Sequence, residues 1–368
     1  MQKFSKNKKK NIKILTIVGA RPQFIKSSVI SNEIKKNYKY LKEILVHTGQ
    51  HYDFNMNKVF FNELKIKKPN YYLNISKLDH SKMISKMITA IDKVIKKEKP
   101  NFVIVYGDTN STVSGAIAAY KSKTKVIHIE AGLRSYNENM PEEQNRIITD
   151  RLSNLLFCPT LTSKRNLISE SFKKYKNKKI FNYGDVMYDV HLKFKKNFNS
   201  NINYKDYYLL TLHREENMKK KKLKNIFKNI IKLSNYKKII FPTHPRIKKF
   251  AKQNLKNKNI ILIEPKGYFE FGSLLNNSFA VITDSGGVQK ESFFFKKNCF
   301  VLRNETEWVE LIKKNVNLIV SPDKKDFFKK IINHKFSKKI DNFFPFGEGK
   351  SSKRIVKEIF KNLNIKKS

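Results

Sequence analysis

From residue 12 onward, short runs rich in Ile, Val, Leu and Tyr alternate with longer stretches whose apolar residues recur every three or four positions. The short runs fit strands buried on both faces, and the longer stretches fit amphipathic helices. Alternation of the two predicts an α/β protein with parallel sheets built of βα units. Strands are expected at 12–18, 41–47, 102–106, 125–129, 154–158 and 179–183. A second set is expected at 207–212, 237–241, 259–263, 279–282, 298–302 and 316–320. Each set suffices for a Rossmann-like domain, which gives boundaries at 12–191 and 207–345 with a Lys/Asn-rich linker at 192–206. Residues 1–11 read as a basic disordered tail ahead of the first strand, and 346–368 as a Gly/Pro loop followed by a last helix.

The unusual residues fall where these strands stop. Arg21 follows ILTIV, Gln50 and His51 follow EILVH, Asp108 follows FVIVY, and Glu130 ends VIHI. His213 ends YYLLTL, His244 follows IIFP, Asp284 ends AVIT, and Arg303 follows FVL. Open parallel sheets bind ligands at the carboxyl ends of their strands. Two such sheets facing each other across a cleft would bring both sets to one ligand.

The segment FAVITDSGGVQKESFFF, 279–295, carries the most specific signal. An apolar run ends in Asp284-Ser285-Gly286-Gly287 and turns directly into a helical pattern. Adjacent glycines admit close backbone approach, and the helix start offers free N–H groups and a positive dipole end, a phosphate cradle. As an ordinary helix N-cap the same residues would need no ligand. Glu291, six residues after Ser285, suits a ribose diol and so points to a nucleotide. Gly19-Ala20-Arg21-Pro22 with Lys26, and His213-Arg214, supply further donors for a pyrophosphate. Asp108, Glu130 and Glu142 are carboxylates suited to proton transfer on a hydroxyl-bearing substrate. Glu142 and Glu143 also fit as dipole complements after Pro141. His128 shares the strand face of Glu130 and reads as structural.

Several chemistries lose ground. GxxxxGK[ST], an opening GxGxxG, GxSxG and metal-ligand spacing are all missing, so no metal or cofactor is expected. The formal charge of +46 would ordinarily suggest nucleic acid, but only nine of the 77 basic residues are Arg. Lys scattered through every helical pattern reads as a solvated surface, with no nucleic-acid partner. No apolar run reaches membrane-spanning length, and Cys158 and Cys299 sit in apolar runs as buried reduced thiols. A cytoplasmic setting follows from these features. Among so many lysines, Arg21, Arg134, Arg146, Arg214, Arg246 and Arg303 stand beside motifs where a rigid fork is useful.

In order, GARPQFIK, HTGQHYD, YGDTNST, HIEAGLRS, MPEEQNRIITDRLS, TLHREEN, THPR, TDSGGVQKES and LRNETEW resemble the non-hydrolysing UDP-N-acetylglucosamine 2-epimerase family. The likeness runs from about residue 12 to about 360. It implies a GT-B arrangement, with the last helix packing back on the first domain, and a homodimeric, metal-independent enzyme. Its reaction would interconvert UDP-GlcNAc and UDP-ManNAc, feeding surface-polysaccharide synthesis, by loss of UDP to a 2-acetamidoglucal and re-addition. By this resemblance Asp108, Glu130 and Glu142 are the acid/base set, with His213 on the diphosphate. Arg21, Lys26, Ser285, Gly286 and Gly287 hold UDP, and Glu291 takes the ribose. Gln50, His51, Arg214 and His244 match positions that bind a second, activating sugar nucleotide in some members. Many members carry Arg-Pro after the Thr-Glu of the last motif. Thr306-Glu307-Trp308-Val309 instead is similar to the branch acting on UDP-2,3-diacetamido-2,3-dideoxy-glucuronate.

Overall fold

The computed structural model describes residues 12–50, 63–64, 66–198, 202–337 and 342–363. The chain divides into two compact units, Met1–Lys193 with Phe344–Ser368, and Phe194–Phe343.

The first unit is built on a seven-stranded parallel sheet: β1 (Ile12–Val18), β2 (Leu41–His47), β3 (Tyr71–Tyr72), β4 (Phe102–Tyr106), β5 (Lys125–Ile129), β6 (Leu155–Cys158) and β7 (Lys179–Asn182). Their order is β3-β2-β1-β4-β5-β6-β7, so the winding reverses between β1 and β4. Ile14, Leu15 and Thr16 of β1 pair with Phe102, Val103 and Ile104 of β4. Every residue of β4 is buried, which is why these strands read as continuous apolar runs. The helices are α1 (Arg21–Asn37), α2 (His80–Glu98), α3 (Asn110–Lys121), α4 (Pro141–Leu152), α5 (Leu161–Ser169) and α6 (Val186–Phe194). Helix α2 starts where Asp79 accepts the Lys82 amide at 2.9 Å, and its buried stripe Met83, Met87, Ile91, Val94 and Ile95 joins the sheet core.

The second unit carries β8 (Tyr208–Thr211), β9 (Ile239–Pro242), β10 (Ile260–Ile263), β11 (Ala280–Thr283), β12 (Asn298–Val301) and β13 (Asn317–Ile319) in the order β10-β9-β8-β11-β12-β13. All pairings are parallel, and the winding reverses between β8 and β11. Its helices are α7 (Glu215–Met218), α8 (Lys220–Ser234), α9 (Pro245–Asn254), α10 (Tyr268–Asn277), α11 (Gly286–Phe294), α12 (Val309–Lys313) and α13 (Phe328–Asn333). The last helix, α14 (Ser351–Lys361), belongs to the first unit. Its Phe360 ring meets Tyr38 and Tyr40 beyond the end of α1, at 5.5 and 5.4 Å. Buried Asp189 accepts the Ser351 and Ser352 amides at 3.1 and 2.7 Å and so caps it.

All twelve strands expected from sequence are present to within two residues at each end. The two-residue β3 went unforeseen. Residues 192–197, read as linker, are helical, completing α6 and a 3₁₀ turn at Lys195–Asn197. Both cysteines are buried and unpaired, and burial pushes the Cys299 thiol up to about 12. Among the described residues no helix is long and apolar enough to cross a membrane, and no His, Cys, Asp and Glu cluster could hold a metal.

Candidate active site

In the first unit the reversal point brings the β1–α1 and β4–α3 turns side by side, and Gln23 fastens them together. Its Oε1 accepts the Gly19 and Ala20 amides at 2.7 and 3.0 Å. Its Nε2 donates to the Tyr106 carbonyl at 2.8 Å and reaches the Thr109 and Thr112 hydroxyls at 3.0 and 2.9 Å. Sequence reading gave Gln23 no role, because the partners of its Nε2 lie more than 80 residues away.

Asp108 follows this turn. Arg146 of α4 sends Nε and Nη2 to Asp108 Oδ2 at 3.0 and 2.6 Å, and Nη1 to Glu143 Oε2 at 2.7 Å. Arg146 is buried, whereas the Asp108 side chain keeps 30% of its surface exposed. Asp108 Oδ1 takes no hydrogen bond among the described residues. Glu130 lies beside this turn, its carboxylate ion-paired to Lys26 and both side chains 8% exposed. A Cβ on Gly107 would come within 3.1 Å of Glu130 Oε2, and Gly107 itself has φ +64°, so this spot admits only glycine without strain. Glu130 also adopts positive φ, +75°, costing on the order of 1–2 kcal/mol for a residue with a Cβ. Strain of this kind persists only where the surroundings over-determine the residue.

The neighbouring glutamates of α4 part company. Glu143 is buried and accepts the Ser135 and Tyr136 amides at 2.9 and 3.0 Å besides Arg146, so it braces the 133–136 loop. Glu142 is half-buried, with no hydrogen bond among the described residues. Lys26, expected on a phosphate, here neutralises Glu130. Arg21 opens α1, half-buried. Gln50 Oε1 accepts the Ser111 amide and hydroxyl at 3.0 and 2.7 Å. His51 lies outside the described residues.

In the second unit Asp284 is the fixed point. Fully buried at the β8/β11 reversal, it accepts the His213 and Arg214 amides at 3.1 Å each and Asn217 Nδ2 at 3.1 Å. Burial pulls its carboxyl upward, but His213, Asn217 and the Arg214 amide outweigh that and hold it below the usual carboxylate range. The His213 ring, 48% exposed, keeps Nδ1 at 3.3 Å from Asp284 Oδ1. His244 caps α9 by accepting the Arg246 amide at 3.3 Å, and burial, Arg246 and His213 lower its pKa.

Ser285 is the N-cap of α11, its hydroxyl accepting the Val288 amide at 3.4 Å. The Gly286 and Gly287 amides find no acceptor among the described residues, leaving two donors at a helix start. A Cβ on Gly286 would fall 2.2 Å from Glu307 Oε1. Glu307 is held by buried Arg303 at 2.8 Å, and Trp308 Nε1 donates to the Gly286 carbonyl at 2.8 Å. Lys290 stacks over the Trp308 ring at 4.7 Å. The Thr306-Glu307-Trp308 segment therefore shapes the cradle from behind. Glu291 lies half-buried on the second turn of α11.

These features define a two-unit α/β protein of the GT-B class, each half Rossmann-like, with Asp108 at one reversal point and a glycine-opened helix start at the other. A family model described as UDP-N-acetylglucosamine 2-epimerase matches residues 32–360. A Methanococcus maripaludis protein named UDP-N-acetylglucosamine 2-epimerase homolog is 47% identical, covering 96% of this chain and 100% of its own. The UDP-2,3-diacetamido-2,3-dideoxy-D-glucuronate 2-epimerase of Pseudomonas aeruginosa is 45% identical over 95% and 100%. Methanocaldococcus jannaschii UDP-GlcNAc 2-epimerase, solved in complex with UDP-GlcNAc and UDP, superposes with TM-score 0.87 at 41% identity, covering 95% of this chain and 100% of that one. The chain belongs to the UDP-N-acetylglucosamine 2-epimerase family, whose members are isomerases.

Proposed function

We propose that this enzyme interconverts UDP-GlcNAc and UDP-ManNAc without net hydrolysis. The observation that carries the reading is the pair Asp108 and Glu130, adjoining carboxylates held in unlike surroundings. One is partly exposed on an arginine fork, and the other is buried against a lysine. C2–H of the sugar has no carbonyl beside it, so direct abstraction of that proton is very slow. Loss of UDP first places positive charge at C1 and acidifies C2–H. A carboxylate then takes the proton, giving a 2-acetamidoglucal, and re-addition of UDP with protonation of the opposite face gives the epimer.

Asp108, Glu130 and Glu142 are assigned the proton transfers, and Lys26 the charge balance of Glu130. The second unit is assigned the nucleotide. His213 and the Gly286 and Gly287 amides would meet the diphosphate, Ser285 would hold the helix start, and Glu291 would accept from the ribose. Arg21 is assigned to the same diphosphate. Gln50, His51, Arg214 and His244 are assigned to an activating second sugar nucleotide, which a sigmoidal rate curve that becomes hyperbolic in their variants would support.

One observation favours the diacetamido-glucuronate as substrate instead: the 45% identity to the Pseudomonas enzyme, together with Trp308 behind the cradle. Incubation of the purified protein in D2O with each UDP-sugar decides between them. The true substrate gains deuterium at C2 as its epimer accumulates. Free sugar as the main product, or no C2 deuterium with either compound, would sink the reading.

A further inference from the structure

Gln23 is 1% exposed in the first turn of α1, and both ends of its amide are engaged. Its orientation is set by its neighbours. Oε1 faces two N–H groups, those of Gly19 and Ala20 at 2.7 and 3.0 Å, while Nε2 faces the Tyr106 carbonyl at 2.8 Å, which only accepts. The Gly19 and Ala20 amides are therefore spent within the fold and form no phosphate cradle. Nε2 also reaches the Thr109 and Thr112 hydroxyls at 3.0 and 2.9 Å, and Thr112 in turn donates to the Tyr106 carbonyl at 2.6 Å. Tyr106 and Thr109 stand on either side of Gly107-Asp108. One side chain thus spans the turn that carries the first carboxylate.

Lys26 follows Gln23 by three positions on α1, and residues so spaced lie on one face of a helix. Lys26, itself 6% exposed, pairs with Glu130. That face therefore holds the Asp108 turn at one point and the second carboxylate one turn further on. We infer that Gln23 is a positioning residue: through Gln23 and Lys26, α1 serves as a rigid spacer that sets Asp108 and Glu130 at their working separation. Both ends of the spacer meet backbone that needs holding. Gly107 and Glu130 have φ of +64° and +75°, and such a geometry in a residue with a Cβ persists only under restraint. From the opposite side α4 completes the grip, with Arg146 on the Asp108 carboxylate and Asn145 on its carbonyl at 3.0 Å.

The inference rests on the roles proposed for Asp108 and Glu130, and the test separates the two. Gln23→Asn keeps the amide but shortens the side chain by about 1.5 Å, so it cannot reach both turns. Its kcat, read as C2 deuterium uptake in D2O, should fall on the order of 100-fold, the scale of a catalytic group misplaced by about 1 Å. UDP affinity, read by calorimetry, should stay within roughly threefold of the parent, because only the reacting geometry is disturbed. Gln23→Glu has the parent length. It still accepts the Gly19 and Ala20 amides, and the Thr109 and Thr112 hydroxyls can turn to donate to its second oxygen, so kcat should return to within about tenfold of the parent. A role in stability alone would lower UDP affinity and kcat together in Gln23→Asn, and that result overturns the inference. So does a parental kcat in Gln23→Asn, or a Gln23→Glu enzyme no faster than Gln23→Asn. If Gln23→Asn does not fold, Thr112→Val decides: it removes one acceptor of Nε2 and should cut kcat about tenfold with UDP affinity kept, and an unchanged kcat overturns the inference. If Asp108→Asn is itself fully active, the role of Asp108 has failed. If Asp108→Asn is inactive while Gln23→Asn keeps its kcat, the positioning role alone has failed.

Discussion

Single residues decide what each half can bind. Replacing Gly286 with Ala puts a methyl 2.2 Å from Glu307 Oε1, in a segment clamped by Arg303 and Trp308. The helix start must then shift away from the position its two free amides define. Gly286→Ala should weaken UDP binding at least roughly tenfold, about 1.4 kcal/mol, the scale of one charge-assisted hydrogen bond; calorimetric titration reads it, and unchanged affinity would remove this turn from the nucleotide site. Glu142 and Glu143 offer the matching contrast in the first unit. Glu143→Gln loses ionic bonds to a buried arginine and two amides, and should lower stability by about 2 kcal/mol. Glu142→Gln breaks no hydrogen bond, and should leave the melting temperature in place while turnover falls. The sequence could not separate these two, since both follow Pro141 at a helix start. One step along a helix turns a side chain by about 100 degrees, and only packing says which of the two faces inward. The Lys26–Glu130 pair is hidden from the sequence for a related reason. A basic residue one turn into a helix fits an anion site, but its neighbour Glu130 arrives from a strand 104 positions away.

At the level of elements, the strand ends were legible because buried parallel strands leave unbroken apolar runs, and any polar residue that ends one is conspicuous. Asp108, Glu130, His213 and Asp284 all stand out this way; Asp108, His213 and Asp284 occupy the reversal points, and Glu130 ends the next strand, β5. Helices were harder to read where Lys and Asn dominate. Residues 192–197 have the composition of a linker, yet they are helical, and Phe194 and Phe198 pack on Phe269. Two apolar anchors four positions apart, among lysines, give too sparse a stripe to separate from coil. Helix α11 shows the opposite case, with a start announced by Asp-Ser-Gly-Gly and a supporting strut, Trp308, that the sequence marked only as a departure from Arg-Pro. Trp308 is the only tryptophan in the chain. Its indole bond to the Gly286 carbonyl makes intrinsic fluorescence a reporter of the cradle. Saturating UDP should shift or quench the emission. Trp308→Phe should weaken UDP about fivefold, the worth of one neutral hydrogen bond. An emission that stays constant while calorimetry shows binding would place the diphosphate elsewhere.

For the molecule as a whole, charge is the property most open to misreading. A net +46 carried almost entirely by lysine adds self-repulsion that the folded state must tolerate. Each unit also depends on a buried ionised aspartate, Asp150 in the first and Asp284 in the second, both with lowered pKa. A carboxyl whose folded pKa lies below its unfolded value of about 3.9 contributes stability that is complete above that value. The contribution is lost as pH falls through the folded pKa, because the unfolded chain takes the proton first. Melting temperature should therefore change little from pH 7 to about 5, and drop steeply below about 4. General repulsion also grows in acid as surface carboxylates are neutralised, but salt distinguishes the two contributions. Exposed charges are screened within about 10 Å at 0.1 M salt, whereas buried pairs are screened far less. Added salt should thus recover only part of the acid loss, and Asp284→Asn, already destabilised at neutral pH, should show a shallower acid limb than the parent. Full recovery in salt, with parallel limbs for parent and variant, would assign acid sensitivity to the lysine surface and none of it to the two aspartates.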